Sequence, residues 1–105
     1  MDKNTHITIL YDIYGKLLSD KQRNYFEAYY FDNLSLSEIS ENLNVTRSAI
    51  QKQLKSITEQ LNKYERCLKL DYKNKKLNKL IDEIKDKDLK KKIIDINNIW
   101  GVYVW

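Results

Sequence analysis

The sequence is poor in the residues that build tight turns, disulfides and membrane spans. Its 105 residues include no proline, two glycines and one cysteine. Sheet proteins of this size need many tight turns, which Gly, Pro, Asn and Asp provide, so the composition favours an all-α fold. One cysteine cannot form an internal disulfide, and no run approaches the roughly 20 apolar residues that span a membrane. The start shows no signal-peptide pattern, so we expect a cytoplasmic protein without membrane contact.

The side chains that carry most catalytic and metal chemistry are also scarce. His6 is the only histidine, and Cys67 has no other cysteine or histidine near it in sequence. No glycine-rich phosphate loop occurs, and no nucleophile is paired with a base. We therefore predict that the chain is not an enzyme and holds neither a metal nor a cofactor.

Charge is distributed unevenly along the chain. Residues 1–45 carry four Lys/Arg and seven Asp/Glu, a net −3, whereas residues 46–105 carry fifteen and eight, a net +7. A basic half indicates nucleic acid or another polyanion as a partner. The lysine clusters at 73–79 and 90–92 are more often the solvated side of an amphipathic helix, and charge alone favours that interpretation over a grip on phosphates.

Helix starts are marked by two capping boxes. Ser19 is followed three residues later by Gln22, and Ser35 by Glu38, a pattern in which each serine and its partner bond the other's backbone N–H. Apolar residues recur at helical spacing before, between and after these points. The sequence predicts a bundle of five to six helices with a long fourth helix beginning at Arg47.

The fourth helix has the strongest periodicity in the chain, a heptad seam whose members are spaced four and three apart. Such a stripe can face the helix that follows, the first two helices or a second copy of the chain, so a homodimer through this helix or through the apolar tail from Trp100 to Trp105 is one prediction. We divide the chain into a helix-turn-helix domain over 1–70 and a C-terminal helical extension over 71–105, which packs on that domain or on a dimer partner. The seam consists of Ile50, Leu54, Ile57, Leu61, Tyr64 and Leu68.

Residues 35–57 meet the requirements of a helix-turn-helix. Ser40 is small where two helices cross closely, Asn44 tolerates the left-handed backbone of the turn, and Thr46 can cap the next helix. Apolar side chains to lock the pair are supplied by Ile39, Leu43, Val45, Ile50 and Leu54. In DNA-binding versions, the N-terminal part of the second helix enters the major groove. The candidate DNA-binding residues there are Arg47, Ser48, Gln51, Lys52 and Lys55.

Several stretches together resemble known proteins. Lys21 to Tyr25, Leu34 to Ser40 and Val45 to Ile50 are similar to region 4 of bacterial sigma factors, and more closely to the YlxM family of small bacterial helix-turn-helix proteins. The resemblance covers about residues 6–70 and fades beyond them. Ser40 stands where alanine is usual and Asn44 where glycine is usual, and both are tolerable departures.

The resemblance implies more than spacing can show. The resemblance implies a helical bundle that contains a sigma-region-4-like unit. The YlxM family is encoded beside components of the signal recognition particle, which implies that the protein regulates that operon or acts in the targeting pathway. One hypothesis is a DNA-binding regulatory protein. The alternative is an accessory factor that binds signal recognition particle protein or RNA and keeps the helix-turn-helix as a scaffold.

Overall fold

The computed structural model describes the backbone of residues 3–103 and the side chains of residues 4–97. Within that range the chain forms six α-helices, a short 3-10 helix at Gly15–Leu17 and no strand, which confirms the predicted all-α fold class. Two compact units are present, residues 1–68 and residues 69–105. The helices are α1 (Lys3–Tyr14), α2 (Asp20–Tyr30), α3 (Leu36–Leu43), α4 (Arg47–Leu68), α5 (Leu70–Asp82) and α6 (Lys87–Tyr103).

Both predicted capping boxes are present. The Ser19 hydroxyl accepts from the Gln22 backbone N–H at 3.1 Å, and the Gln22 side chain accepts from the Ser19 N–H at 3.1 Å. The same exchange joins Ser35 and Glu38 at 3.1 and 3.2 Å. These bonds satisfy backbone donors that a helix N-terminus otherwise leaves without a partner, and they fix where α2 and α3 begin.

The turn between α3 and α4 also follows local chemistry. Asn44 adopts the left-handed conformation with φ 54°, as predicted for the residue that ends α3. The Ser40 hydroxyl donates to the Val45 carbonyl, and the Val45 N–H donates to the Ser40 carbonyl. Thr46 caps α4 by accepting from the Ala49 N–H at 3.1 Å. The turn is therefore held by its own polar groups.

The core of the first unit lies between α4 and the three helices before it, since α4 packs against α1, α2 and α3. Side chains buried there from the earlier helices include Leu10, Tyr14, Phe26 and Ile39. The buried members of the heptad seam are Ile50, Leu54, Ile57 and Leu61. This part of the seam is therefore covered within one copy of the chain.

Among the apolar residues named above for the helix-turn-helix and the heptad seam, Leu43 and Leu68 are exposed rather than buried. Leu43 is 43% exposed and Leu68 is 46% exposed. Leu43 ends α3 just before the turn, beyond the surface where α3 meets α4. Leu68 ends α4, past the contacts of Tyr14 with Tyr64 (ring centroids 5.9 Å apart) and with Glu65 (O–O 2.6 Å). Periodicity identifies a face of a helix but not the length over which a partner covers it.

The second unit consists of α5 packed against α6. Asp86 caps α6, because its carboxylate accepts from the backbone N–H groups of Asp88 and Leu89. A hydrogen bond of 3.2 Å between the Asn97 and Asn74 side chains joins the two helices. The predicted docking of the tail from Trp100 to Trp105 concerns side chains outside the described residues and stays a prediction.

Candidate nucleic-acid interface

The sequence-predicted site residues all lie at the start of α4 and are exposed. With about 100° of rotation per residue, they share an arc of roughly 140°, and the buried seam lies outside that arc. The site therefore consists of the side of α4 that the other helices of its unit leave uncovered. Its members are Arg47, Ser48, Gln51, Lys52 and Lys55.

The charge of this face is positive. Along α4 no acidic residue occurs before Glu59, whereas three basic residues do. The backbone N–H groups and the dipole at the N-terminus of the helix add to the attraction for an anion. The acidic residues of α3 are Glu38 and Glu41, and the Glu38 carboxylate is engaged with the Ser35 N–H in the capping box.

One site residue is bonded across the turn. The Arg47 guanidinium donates from Nη1 to the Ser37 hydroxyl at 3.3 Å, and both residues are exposed. Sequence reasoning missed Ser37, because a contact between residues ten apart depends on how α3 and α4 cross. The bond is long enough for a stronger acceptor such as a base edge or a phosphate to replace it.

Gln51 stands between two shallow depressions. One is lined by Leu36, Arg47, Ser48 and Gln51. The other includes Tyr29, Tyr30, Leu36, Gln51 and Lys55 in its lining. Leu36 and Gln51 line both depressions. The Gln51 amide, which can form two hydrogen bonds, therefore lies beside the aliphatic side chain of Leu36.

Tyr29 and Tyr30, which line the second depression, are a further part of the site that sequence reasoning missed. Tyr29 is 37% exposed, and its ring lies edge-on to Tyr30 with the centroids 5.0 Å apart. Burial raises the pKa of the Tyr30 phenol, which stays neutral near pH 7. No sequence signal singles out these two tyrosines, since the adjacent pair Tyr25 and Phe26 on the same helix is buried.

The chemistry of this arrangement matches what a duplex presents. Arg pairs with guanine, Gln with adenine, and Lys with guanine or phosphate, while an aliphatic side chain suits the thymine methyl. Among the described side chains, no three His, Cys, Asp or Glu residues converge on a point that could hold a metal ion. Over the same part of the chain, no helix is both long and apolar enough to cross a membrane.

Comparison with known proteins identifies similar chains along nearly the whole sequence. Residues 1–99 match a protein-family model, UPF0122, described as "Putative helix-turn-helix protein, YlxM / p13 like". A UPF0122 protein of Ureaplasma urealyticum is 46% identical over 95 residues, which cover 90% of this chain and 96% of that one. UPF0122 proteins of Caldanaerobacter subterraneus and Oceanobacillus iheyensis are 45% and 42% identical, over 76% and 81% of this chain and 68% and 81% of their own lengths.

Proposed function

Because the chain belongs to the UPF0122 family of YlxM/p13-like helix-turn-helix proteins, we propose that it is a non-enzymatic, DNA-binding regulatory protein. The observation that carries the proposal is the exposed face of α4, which bears Arg47, Ser48, Gln51, Lys52 and Lys55 and includes no acidic residue. In this proposal the first turns of α4 lie in the major groove. The regulated target is the signal recognition particle operon or pathway, as the family resemblance implies.

The roles of the five residues differ by chemistry. Arg47 and Gln51 have planar groups that form two hydrogen bonds with a base edge, so they select sequence. Lys52 and Lys55 contact phosphates or guanine, and Ser48, in the first turn of α4, hydrogen-bonds a phosphate oxygen. Sequence preference and general affinity are therefore assigned to different side chains of one helix face.

The test begins by selecting preferred duplexes from a random pool with the unchanged protein. Binding of the selected and an unselected duplex is then compared for Arg47→Ala/Gln51→Ala. We expect the preference to fall roughly 10- to 100-fold for each side chain that no longer reads a base. The matched control is Arg66→Ala/Gln60→Ala, which removes the same residue types from the second half of α4 and should retain the preference. If the Arg47/Gln51 variant distinguishes the duplexes as well as the parent does, α4 is not the recognition element.

A second function is favoured by the exposed apolar side chains of α6. Leu89 is 49% exposed and Ile96 is 67% exposed, which suits a protein partner better than a duplex. The alternative is an accessory factor that binds signal recognition particle protein or RNA. Retention of purified particle protein or RNA by the chain, with no duplex bound at physiological salt, would favour this alternative over DNA regulation.

Homodimerisation stays a prediction for the end of α4 and the C-terminal tail. The seam from Ile50 to Leu61 is buried inside the first unit and does not offer a surface to a second copy. Sedimentation over a wide range of protein concentration measures the oligomeric state directly.

A further inference from the structure

The first unit, which contains the helix-turn-helix, has no net charge to attract a nucleic acid. Residues 1–68 carry nine Lys/Arg and nine Asp/Glu, whereas residues 69–105 carry ten Lys and six Asp/Glu. Even with all three basic residues of the α4 face on phosphates, the salt slope would be about −2.7, whereas six to ten phosphate contacts give a slope of about −5 to −9. The excess positive charge of the protein thus lies in the second unit.

Part of that charge is gathered along a furrow on the surface of α5. The furrow has a volume of about 730 Å³, and its lining includes Tyr72, Lys75, Lys76, Lys79, Leu80 and Glu83. The opposite side of α5 carries Ile81, which is buried, and Asn74, which bonds to α6. The lysines therefore lie on the side of α5 that α6 does not cover.

The lysines of the furrow are not equivalent. Lys75 lies 3.0 Å from the largely buried Asp71 carboxylate, so its charge is mostly balanced within the unit. Lys76 lies over the Tyr72 ring at 5.2 Å from the centroid, which orders the ammonium group without neutralising it. Lys79 is exposed one turn further along the same side. Lys76 and Lys79 are thus the pair best placed to meet an anion.

We propose that the furrow on α5 contacts the phosphate backbone of a nucleic acid, with Lys76 and Lys79 as the charged contacts. The inference rests on the proposed nucleic-acid-binding function and adds a second surface to it. Phosphate contacts supply affinity without sequence preference. Phosphate suits the furrow because three lysines and one glutamate give its lining a net positive charge, and lysine ammonium groups bind phosphate as point charges.

The experiment measures duplex affinity of the full-length chain as a function of salt, with an unselected and a selected duplex. For Lys76→Gln/Lys79→Gln we expect the slope of log affinity against log salt to become less steep by about 1.8, and the affinity to fall roughly 60-fold at about 0.1 M salt. Both duplexes should lose the same factor, so the preference for the selected duplex is retained. Far-UV circular dichroism verifies that the variant keeps its helices.

Two further variants separate contact from net charge. Lys91→Gln/Lys92→Gln removes the same charge from exposed positions of α6 and should change affinity only about threefold, because charges away from the ligand are screened by salt. Glu83→Gln removes an acidic group from the furrow lining and should strengthen binding. Equal losses for the α5 and α6 pairs would overturn the proposal, since the effect would then be net charge alone.

The outcomes also separate this inference from the function on which it rests. If the unchanged chain binds duplex and Lys76→Gln/Lys79→Gln binds as well as the parent, only the α5 contact is wrong. If this variant loses affinity while Arg47→Ala/Gln51→Ala keeps its preference, only the recognition role of α4 is wrong. If the unchanged chain binds no duplex at low salt, both are wrong.

Discussion

Replacement of Ile57 by alanine tests whether the heptad seam of α4 is the core of a single copy. Ile57 has no exposed surface and lies between Leu54 and Leu61, which are also buried. Leu68 belongs to the same heptad pattern but is 46% exposed. If the seam is covered within one copy, Ile57 contributes strongly to the free energy of unfolding and Leu68 contributes little. If the seam pairs two copies, both side chains contribute.

The expected magnitude follows from the atoms removed. Ile→Ala deletes three carbon atoms, worth about 2.4 kcal/mol at ~0.8 kcal/mol each, and the remaining cavity brings the loss to about 3–4 kcal/mol. A unit of about 68 residues has a free energy of unfolding of roughly 3–10 kcal/mol. Because Ile57→Ala can remove most of that stability, Ile57→Val, with an expected loss of about 0.5–1.5 kcal/mol, gives a variant that stays folded. Leu68→Ala should lose less than about 0.5 kcal/mol.

The assay is urea unfolding followed by far-UV circular dichroism at two protein concentrations a hundredfold apart. For a core within one copy, the midpoint is independent of concentration. A dimeric seam would instead shift the free energy of unfolding by about 2.8 kcal/mol over that range, since each tenfold change corresponds to about 1.4 kcal/mol. A concentration-dependent midpoint, or a loss at Leu68→Ala as large as that at Ile57→Ala, would refute the monomeric core.

Three smaller predictions concern the caps and the half-buried phenol of Tyr30. Ser35→Ala removes the α3 cap and should cost about 1 kcal/mol in thermal unfolding, while Ser35→Asp, which can still cap, should not; equal losses would contradict the capping role. Asn44→Ala should lower the free energy of unfolding in urea by about 1 kcal/mol, because alanine disfavours φ 54°. Asn44→Gly should leave it unchanged or raise it. A loss for glycine as large as for alanine would point to the Asn44 side chain instead. Burial raises the pKa of Tyr30 above its ordinary value of 10.0, so the folded state favours the protonated phenol, and its contribution to stability is complete below pH 10 and lost as pH rises further. Unfolding measured across alkaline pH should therefore show a smaller decline for Tyr30→Phe, and an unchanged decline would show that other groups cause it.

The helix ends could be predicted from sequence because their causes are local. Ser19, Ser35 and Thr46 each accept from a backbone N–H three residues later, and Asn44 supplies the left-handed turn without help from distant residues. Such bonds depend on residue type and spacing alone. A segment of four residues was therefore enough to predict where each of the helices α2, α3 and α4 begins.

The extent of packing could not be predicted in the same way. The heptad pattern identifies the inward face of α4 but carries no information on where the covering helices end. Coverage ends near Tyr64 and Glu65 because Tyr14, the last residue of α1, reaches them there. Leu68 lies beyond that point. Its exposure follows from the length of α1 and its angle to α4, which are properties of the assembled unit.

The candidate site likewise combines features that sequence predicts with features that depend on how the helices pack. The face from Arg47 to Lys55 follows from helical geometry once the seam is known. Its contact with Ser37, and the position of Gln51 beside Leu36, depend on how α3 crosses α4. Sequence therefore predicted which side chains face outward but not which neighbours orient them.

The buried and the exposed faces of α4 have different roles, so the effect of a substitution on DNA binding can be told apart from its effect on folding. The side chains that stabilise the unit, such as Ile57, are buried, whereas the proposed recognition side chains are exposed and contribute little to packing. Exposed substitutions usually change stability by no more than about 0.5 kcal/mol. The bond from Arg47 to Ser37 is 3.3 Å long and exposed, so its removal belongs in the same range. A defect in DNA binding at Arg47 or Gln51 would therefore report the absence of a direct interaction with DNA rather than an unfolded helix, because the energy that folds α4 comes from its opposite face.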